Sequence, residues 1–161
     1  MSNLSIKKII VYFLIVLTIF LLDRASKLYI LNIAETNDVV DIYINNYLNI
    51  ILVWNSGIGF GLLSFDHSTI YNSITFFILL INFLILYLSI KTKGIQSYFY
   101  LLILGGSIGN LFDRIYYSAV PDFIDISYKG FHWFVFNAAD IFISLGIICL
   151  IFVELLNYKE K

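Results

Sequence analysis

The amino-acid sequence predicts a membrane protein of mainly α class, in which four transmembrane helices carry a small extracytoplasmic β-platform, a hairpin, on the outer face. Three observations predict it. Hydrophobic residues make up 60% of the 161 and charged residues only 13%, against roughly 45–50% and 25% in soluble domains. A chain this short leaves much of its surface exposed on folding, so one core does not hide so many apolar side chains. Four windows reach the roughly 20 mostly apolar residues that cross about 30 Å of hydrocarbon, and the two longer segments between windows are rich in β-branched and aromatic residues.

The first span covers residues 9–31, and its last third holds Asp23, Arg24 and Lys27. Lys7 and Lys8 ahead of an apolar run resemble a signal peptide, but no small-x-small cleavage pattern follows, so a retained helix is expected. In the loop at 32–69, residues 39–44 and 47–54 flank Asn45-Asn46 and read as a β-hairpin. The second span, 70–90, has no charge. The third, 98–117, carries Asp113 and Arg114 near its end. The loop at 118–137 repeats the hairpin pattern more weakly, with 124–128 and 132–136 around Lys129-Gly130. The fourth span, 138–156, has Asp140 near its start and Glu154 near its end. No repeat or linker divides the chain, so residues 1–161 are expected to form a single integral membrane domain.

Lysines orient the spans, since basic residues stay on the cytoplasmic side. Lys7 and Lys8 precede the first span, Lys91 and Lys93 follow the second, and Lys159 and Lys161 follow the fourth. The 32–69 loop has Glu35, Asp38, Asp41 and Asp66 but no basic residue; the 118–137 loop has only Lys129. Both termini and the 91–94 turn are therefore expected in the cytoplasm. The two long loops face outward. Trp54 and Trp133 suit an interfacial aromatic belt, as do His67 and His132 at the interface.

This orientation brings the intramembrane charges to one depth. A charge at the bilayer centre costs at least about 2.5–3.5 kcal/mol on insertion scales, so each one needs a reason. Asp23 and Lys27, Asp113 and Arg114, and Asn137 and Asp140 all fall near the outer ends of their helices, with Asp122 and Asp125 in the loop between. Asp23 and Lys27 are four apart on one face. Gly106, Asn110 and Asp113 form one polar stripe, and Asn137, Asp140 and Ser144 another. Structural readings compete with functional ones. Asp23–Lys27 also reads as an ion pair locking the bundle, and Asp113-Arg114 as a headgroup anchor. Gly105-x-x-x-Gly109 reads as a helix-packing pattern.

Inventory narrows the chemistry. Cys149 is the single cysteine, which excludes a disulfide framework or CxxC site, and it lies deep in the fourth span. The two histidines do not form HExxH, and no serine has a histidine context. A net charge of −1 offers no basic patch for nucleic acid. Carboxylates remain: Asp113, Asp122, Asp125 and Asp140. Two held together at low dielectric share a proton, one activating water while the other polarises a carbonyl, with no metal or cofactor. Spacing favours Asp140 with an acid of the adjoining loop but does not choose among Asp122, Asp125 and Asp113. A proton or ion carrier would spread acids across the bilayer depth, yet the second span and the inner half of the first have none. A noncatalytic assembly protein is the other alternative.

Five motifs then carry a resemblance over nearly the whole chain: Asp23-Arg24-Ala25-Ser26-Lys27; Asn55-Ser56-Gly57-Ile58-Gly59-Phe60-Gly61; the stretch from Gly105 to Arg114; Val120-Pro121-Asp122-Phe123; and Phe136-Asn137-Ala138-Ala139-Asp140. In this order they resemble the lipoprotein signal peptidase (signal peptidase II) family of bacterial membrane aspartic peptidases. The resemblance implies a catalytic pair at Asp122 and Asp140. It further implies substrate binding by Asn55, Gly57, Asn110, Arg114 and Asn137, and support from Asp23, Lys27 and Asp113. It implies an enzyme without cofactor, a monomer in the bacterial inner membrane with its site near the outer leaflet. Its substrates would be diacylglyceryl-modified prolipoproteins, cut just before the lipidated cysteine, with membrane lipid the other partner. Two positions depart from the family pattern: Pro121 where an aliphatic residue is usual, and Gly59 where alanine is common.

Overall fold

The computed structural model describes residues 5–37, 39–57 and 68–159. Asp38, Gly59, Gly61, Asp66, His67 and Lys161, all used in the reading above, lie outside the described residues. In chain order the elements are α1 (Ile6–Asn37), β1 (Asp41–Asn45), β2 (Leu48–Asn55), α2 (Ser68–Lys91), α3 (Gln96–Tyr117), β3 (Val120–Tyr128), β4 (Phe131–Phe136) and α4 (Ala138–Lys159). The protein is mainly helical with one small antiparallel sheet.

The four helices coincide with the four windows, and α3 is the hub, packing against α1, α2 and α4. Two of them, over Thr69–Lys91 and Ala138–Asn157, are long and apolar enough to cross a membrane by length and composition. The other two carry charges inside their lengths. Burial runs opposite to that of a soluble protein. Phe77, Phe83 and Ile148 are more than 60% exposed, while Asp23, Lys27, Asp113 and Asn137 are wholly buried. In α1 the buried residues Tyr12, Ile19, Asp23, Lys27 and Ile30 recur at helical spacing, so one face carries both the packing and the charge.

Small residues set the helix separations. The Gly105-x-x-x-Gly109 pattern faces α1: a Cβ on Gly105 would meet Ile19 at 2.8 Å, and one on Gly109 would meet the Asp23 carboxylate at 2.5 Å. Gly106 faces the other way, where a Cβ would run into the Ala139 carbonyl of α4. Three glycines thus bring the charged stretch of α1 and the start of α4 onto the same turns of α3.

The sheet corrects the expectation of a hairpin with a second, separate one. All four strands form a single sheet in the order β1-β2-β3-β4, because β2 pairs antiparallel with β3 across the two outer segments. β3 starts at Val120 rather than at 124, so Asp122 lies on the same strand as Asp125 and not in a loop before it. Pro121 is accommodated opposite Trp54. The register slips by one residue between Ile50↔Ile124 and Val53↔Asp122, a bulge in β2 beside Asp122. The first turn is as short as expected but one residue later, at Asn46-Tyr47, with Asn45 pairing with Leu48 while its side-chain oxygen accepts the Tyr47 N–H at 2.8 Å. At the second, Lys129 and Gly130 both take positive φ, the two-residue turn whose twist matches its strands. The end of α1, which continues six residues past the expected span, supports the sheet: Ile30 packs with Val40 and Phe123.

Candidate functional site

The site grows from Lys27. Its ammonium has three protons and no lone pair, and three acceptors surround it: Asp23 at 2.9 Å, Asn110 Oδ1 at 2.8 Å and Asp113 at 2.6 Å. Arg24 closes the set, its guanidinium 2.5 Å from Asp113 and 3.2 Å from Asp23, over the face of Phe112. Two acids and two bases are neutral together, as burial demands. Asp23 also reaches the start of α4, accepting the Ala139 N–H at 3.1 Å.

Three asparagines convey this framework to two further acids. Because Lys27 only donates, Asn110 must turn its oxygen toward it, which leaves the amide NH2 to donate to Asp140 Oδ1 at 2.8 Å. Asn137 caps α4: its Oδ1 accepts the Asp140 N–H at 3.3 Å, and Asp140 Oδ2 accepts the Asn137 N–H at 3.1 Å, a reciprocal capping box. The oxygen being engaged, Asn137 Nδ2 donates to Asp122 Oδ1 at 2.6 Å. Asn55 ends β2 with its Oδ1 on the Gly57 N–H at 2.8 Å, and its Nδ2 donates to Asp122 Oδ2 at 2.8 Å. Each carboxylate therefore receives two N–H donors, and Asn137 bonds both. Each amide is oriented by a second group behind it.

Asp122 and Asp140 line one cavity of about 270 Å³, together with Asn55, Asn110, Arg114, Asn137, Ser107 and Ser144. Burial first, and the Asp140 charge second, push Asp122 up to about 6, although its asparagine donors pull the other way. Arg114 does not bond either acid. It donates to the Gly57 carbonyl and lies over the Tyr71 ring, and the Tyr71 hydroxyl donates in turn to the Arg114 carbonyl at 3.2 Å. Gly57 is thus clamped through both its N–H and its carbonyl.

The geometry separates acids that spacing left equivalent. Asp113 is consumed by Lys27 and Arg24, behind the cavity rather than in it. The stripe Gly106, Asn110, Asp113 therefore divides between α4, the cavity and α1. Asp125 is three residues from Asp122 on β3, an odd spacing that turns it to the opposite side. It accepts from Asn49 at 3.2 Å and pairs with His132 at 2.7 Å. His132 thus has a buried partner in Asp125. Arg24, to which the sequence assigns no role, joins the buried cluster; its signal is a guanidinium inside an apolar span beside Asp23. Cys149 is free, on α4. Among the described residues no three His, Cys, Asp or Glu side chains converge to hold a metal ion.

Fold and site together define a class: a helical membrane enzyme whose charged groups are gathered inside the bundle under a small sheet. Comparison with known proteins makes the class specific. The family model described as signal peptidase (SPase) II matches residues 15–156. A lipoprotein signal peptidase of Pelagibacter ubique (strain HTCC1062) is 53% identical over all of this chain and 97% of its own length. One of Anaplasma phagocytophilum (strain HZ) is 39% identical over 92% of this chain and 94% of its own. A structure described as a bacterial membrane enzyme, solved by the in meso method at 2.3 Å, superposes with a TM-score of 0.72 at 30% identity, covering 91% of this chain and 88% of that one. The chain belongs to the signal peptidase II family and is an aspartic endopeptidase of the membrane.

Proposed function

We propose that this peptidase removes signal peptides from diacylglyceryl-modified prolipoproteins, cutting on the N-terminal side of the lipidated cysteine with water activated between Asp122 and Asp140. The observation that carries the reading is the pair's setting: two acids lining one cavity, joined through Asn137, each held by two N–H donors. Charge bookkeeping supports a single shared proton. With Asp23, Asp113 and one member of the pair ionised, three negative charges meet the three positive charges of Arg24, Lys27 and Arg114.

In this mechanism the ionised member takes a proton from water as its oxygen attacks the scissile carbonyl carbon. The protonated member donates a hydrogen bond to the carbonyl oxygen, which gathers negative charge in the tetrahedral intermediate. Collapse breaks the C–N bond, and the departing nitrogen takes up a proton from the pair. Arg114, its second guanidinium nitrogen buried without a protein partner, is positioned to donate to a substrate carbonyl. Asn55, Gly57, Asn110 and Asn137 hold the cavity's shape around the peptide.

All four helices cross the bacterial inner membrane in this reading, with both termini cytoplasmic, a monomeric chain and the site at the outer leaflet, where a diacylglyceryl anchor lies. The test is cleavage of purified prolipoprotein, lipidated and unlipidated. The wild type is expected to cut the lipidated form alone, and Asp122→Asn and Asp140→Asn each to lose about 10³-fold or more in rate. Wild-type turnover by either variant, at equal abundance and fold, would remove the dyad from the mechanism.

A further inference from the structure

A second cavity, of about 640 Å³, lies on the other side of α3 from the acids, in an apolar groove between α1, α2 and α3. On α2 it runs from Ile90 to Leu79, about 16 Å at 1.5 Å per residue, which matches the roughly 15 Å hydrocarbon depth of one leaflet. On α1 it begins at Ile9. Ile9 and Ile90 mark one end of the groove, and Lys8 and Lys91 are the next residues of α1 and α2 there, Lys91 Nζ standing 5.5 Å from the ring centre of Tyr87. Lys8 Nζ stands 5.2 Å from the ring centre of Tyr12, itself a wall of the groove. The Tyr12 hydroxyl is buried with no hydrogen-bond partner, on a residue whose backbone lies one helical turn, about 6 Å of rise, further along α1 than Lys8.

We propose that this groove binds an anionic phospholipid of the cytoplasmic leaflet, one acyl chain lying along α2 and the phosphate between Lys8 and Lys91. The charges decide the occupant: two lysines at the mouth of an apolar slot suit a phosphate above a hydrocarbon tail. The depth of Tyr12 suits the ester carbonyl beneath that phosphate, which accepts the hydroxyl's proton and so satisfies a donor the protein leaves alone. The site rests on the membrane orientation proposed above but not on the identity of the acids.

Native mass spectrometry of the full chain in detergent tests it, with phosphatidylglycerol and phosphatidylcholine of identical chains as probes. Phosphatidylglycerol should be retained roughly 10-fold better, and Lys8→Gln/Lys91→Gln should bring it down to the phosphatidylcholine level. Leu86→Trp, which fills the groove, should reduce both adducts. Prolipoprotein cleavage by the same preparations should stay at the wild-type rate in lipid-free samples of both variants, which verifies their fold and reports separately on the proposed activity. Equal retention of the two lipids, or phosphatidylglycerol binding unchanged in the double-lysine variant, would overturn the proposal.

Discussion

Asp122 has its proton held up to about pH 6 by burial and by the neighbouring Asp140 charge. The sign of the pH dependence follows. If one shared proton is required, raising pH through 6 strips it, so kcat/KM should fall on the alkaline side, approaching tenfold per pH unit. Asp140→Asn removes the like charge and should lower the Asp122 midpoint, while burial keeps it above that of an ordinary aspartate. The carboxylate infrared band follows both titrations; a midpoint that stays or rises in the variant would contradict the coupling. Lys27 is the residue on which most of the arrangement turns. Lys27→Met leaves Asp23 and Asp113 short of charge and frees Asn110 to rotate. A loss of about 3–5 kcal/mol is expected on unfolding in detergent, with cleavage falling through the misaligned Asn110.

Among the elements, α3 decides the distances. Its glycines let α1 and α4 approach until Asp23 of α1 lies against Gly109 and accepts the Ala139 N–H of α4. Gly109→Ala drives a Cβ to within 2.5 Å of the Asp23 carboxylate, so stability should drop by about 1–3 kcal/mol and prolipoprotein cleavage by more than the expression level explains. Gly94→Ala is the control: its Cβ meets nothing within 4 Å, and only the φ of +75° is strained, at about 1 kcal/mol with activity kept. The strands do comparable positioning. The bulge in β2 re-phases Val53, Trp54 and Asn55 against β3, so that Asn55 ends opposite Val120 and reaches Asp122.

For the whole molecule the solvent is the deciding term. Burying Asp23, Lys27, Asp113 and Asn137 while Phe77, Phe83 and Ile148 stand outside is sensible only where the outside is hydrocarbon. The predicted topology can be read with cysteine labelling in a Cys149→Ser background. Lys93→Cys should react with an impermeant reagent only when the cytoplasmic face is opened, and Lys129→Cys should react from outside. Reversal at either position would invert the orientation and place the cavity at the inner leaflet.

The chain's own order determined the four helices, the pairing of Asp23 with Lys27 and the five motifs, because each depends on hydropathy over a window or on spacing within a turn. Tertiary structure decided the rest. That β2 joins β3 depends on pairing Asn49 with Asp125, far apart in sequence, and a bulge then breaks the two-residue alternation that a reader would extend. The roles of Asp113, Asp122 and Asp125, equivalent as letters, separate only when Lys27, Asn137 and His132 arrive from other elements. Arg24 acquires its role in the same way, since a buried charge is explained by its partners and the nearer of them, Asp113, sits on another helix.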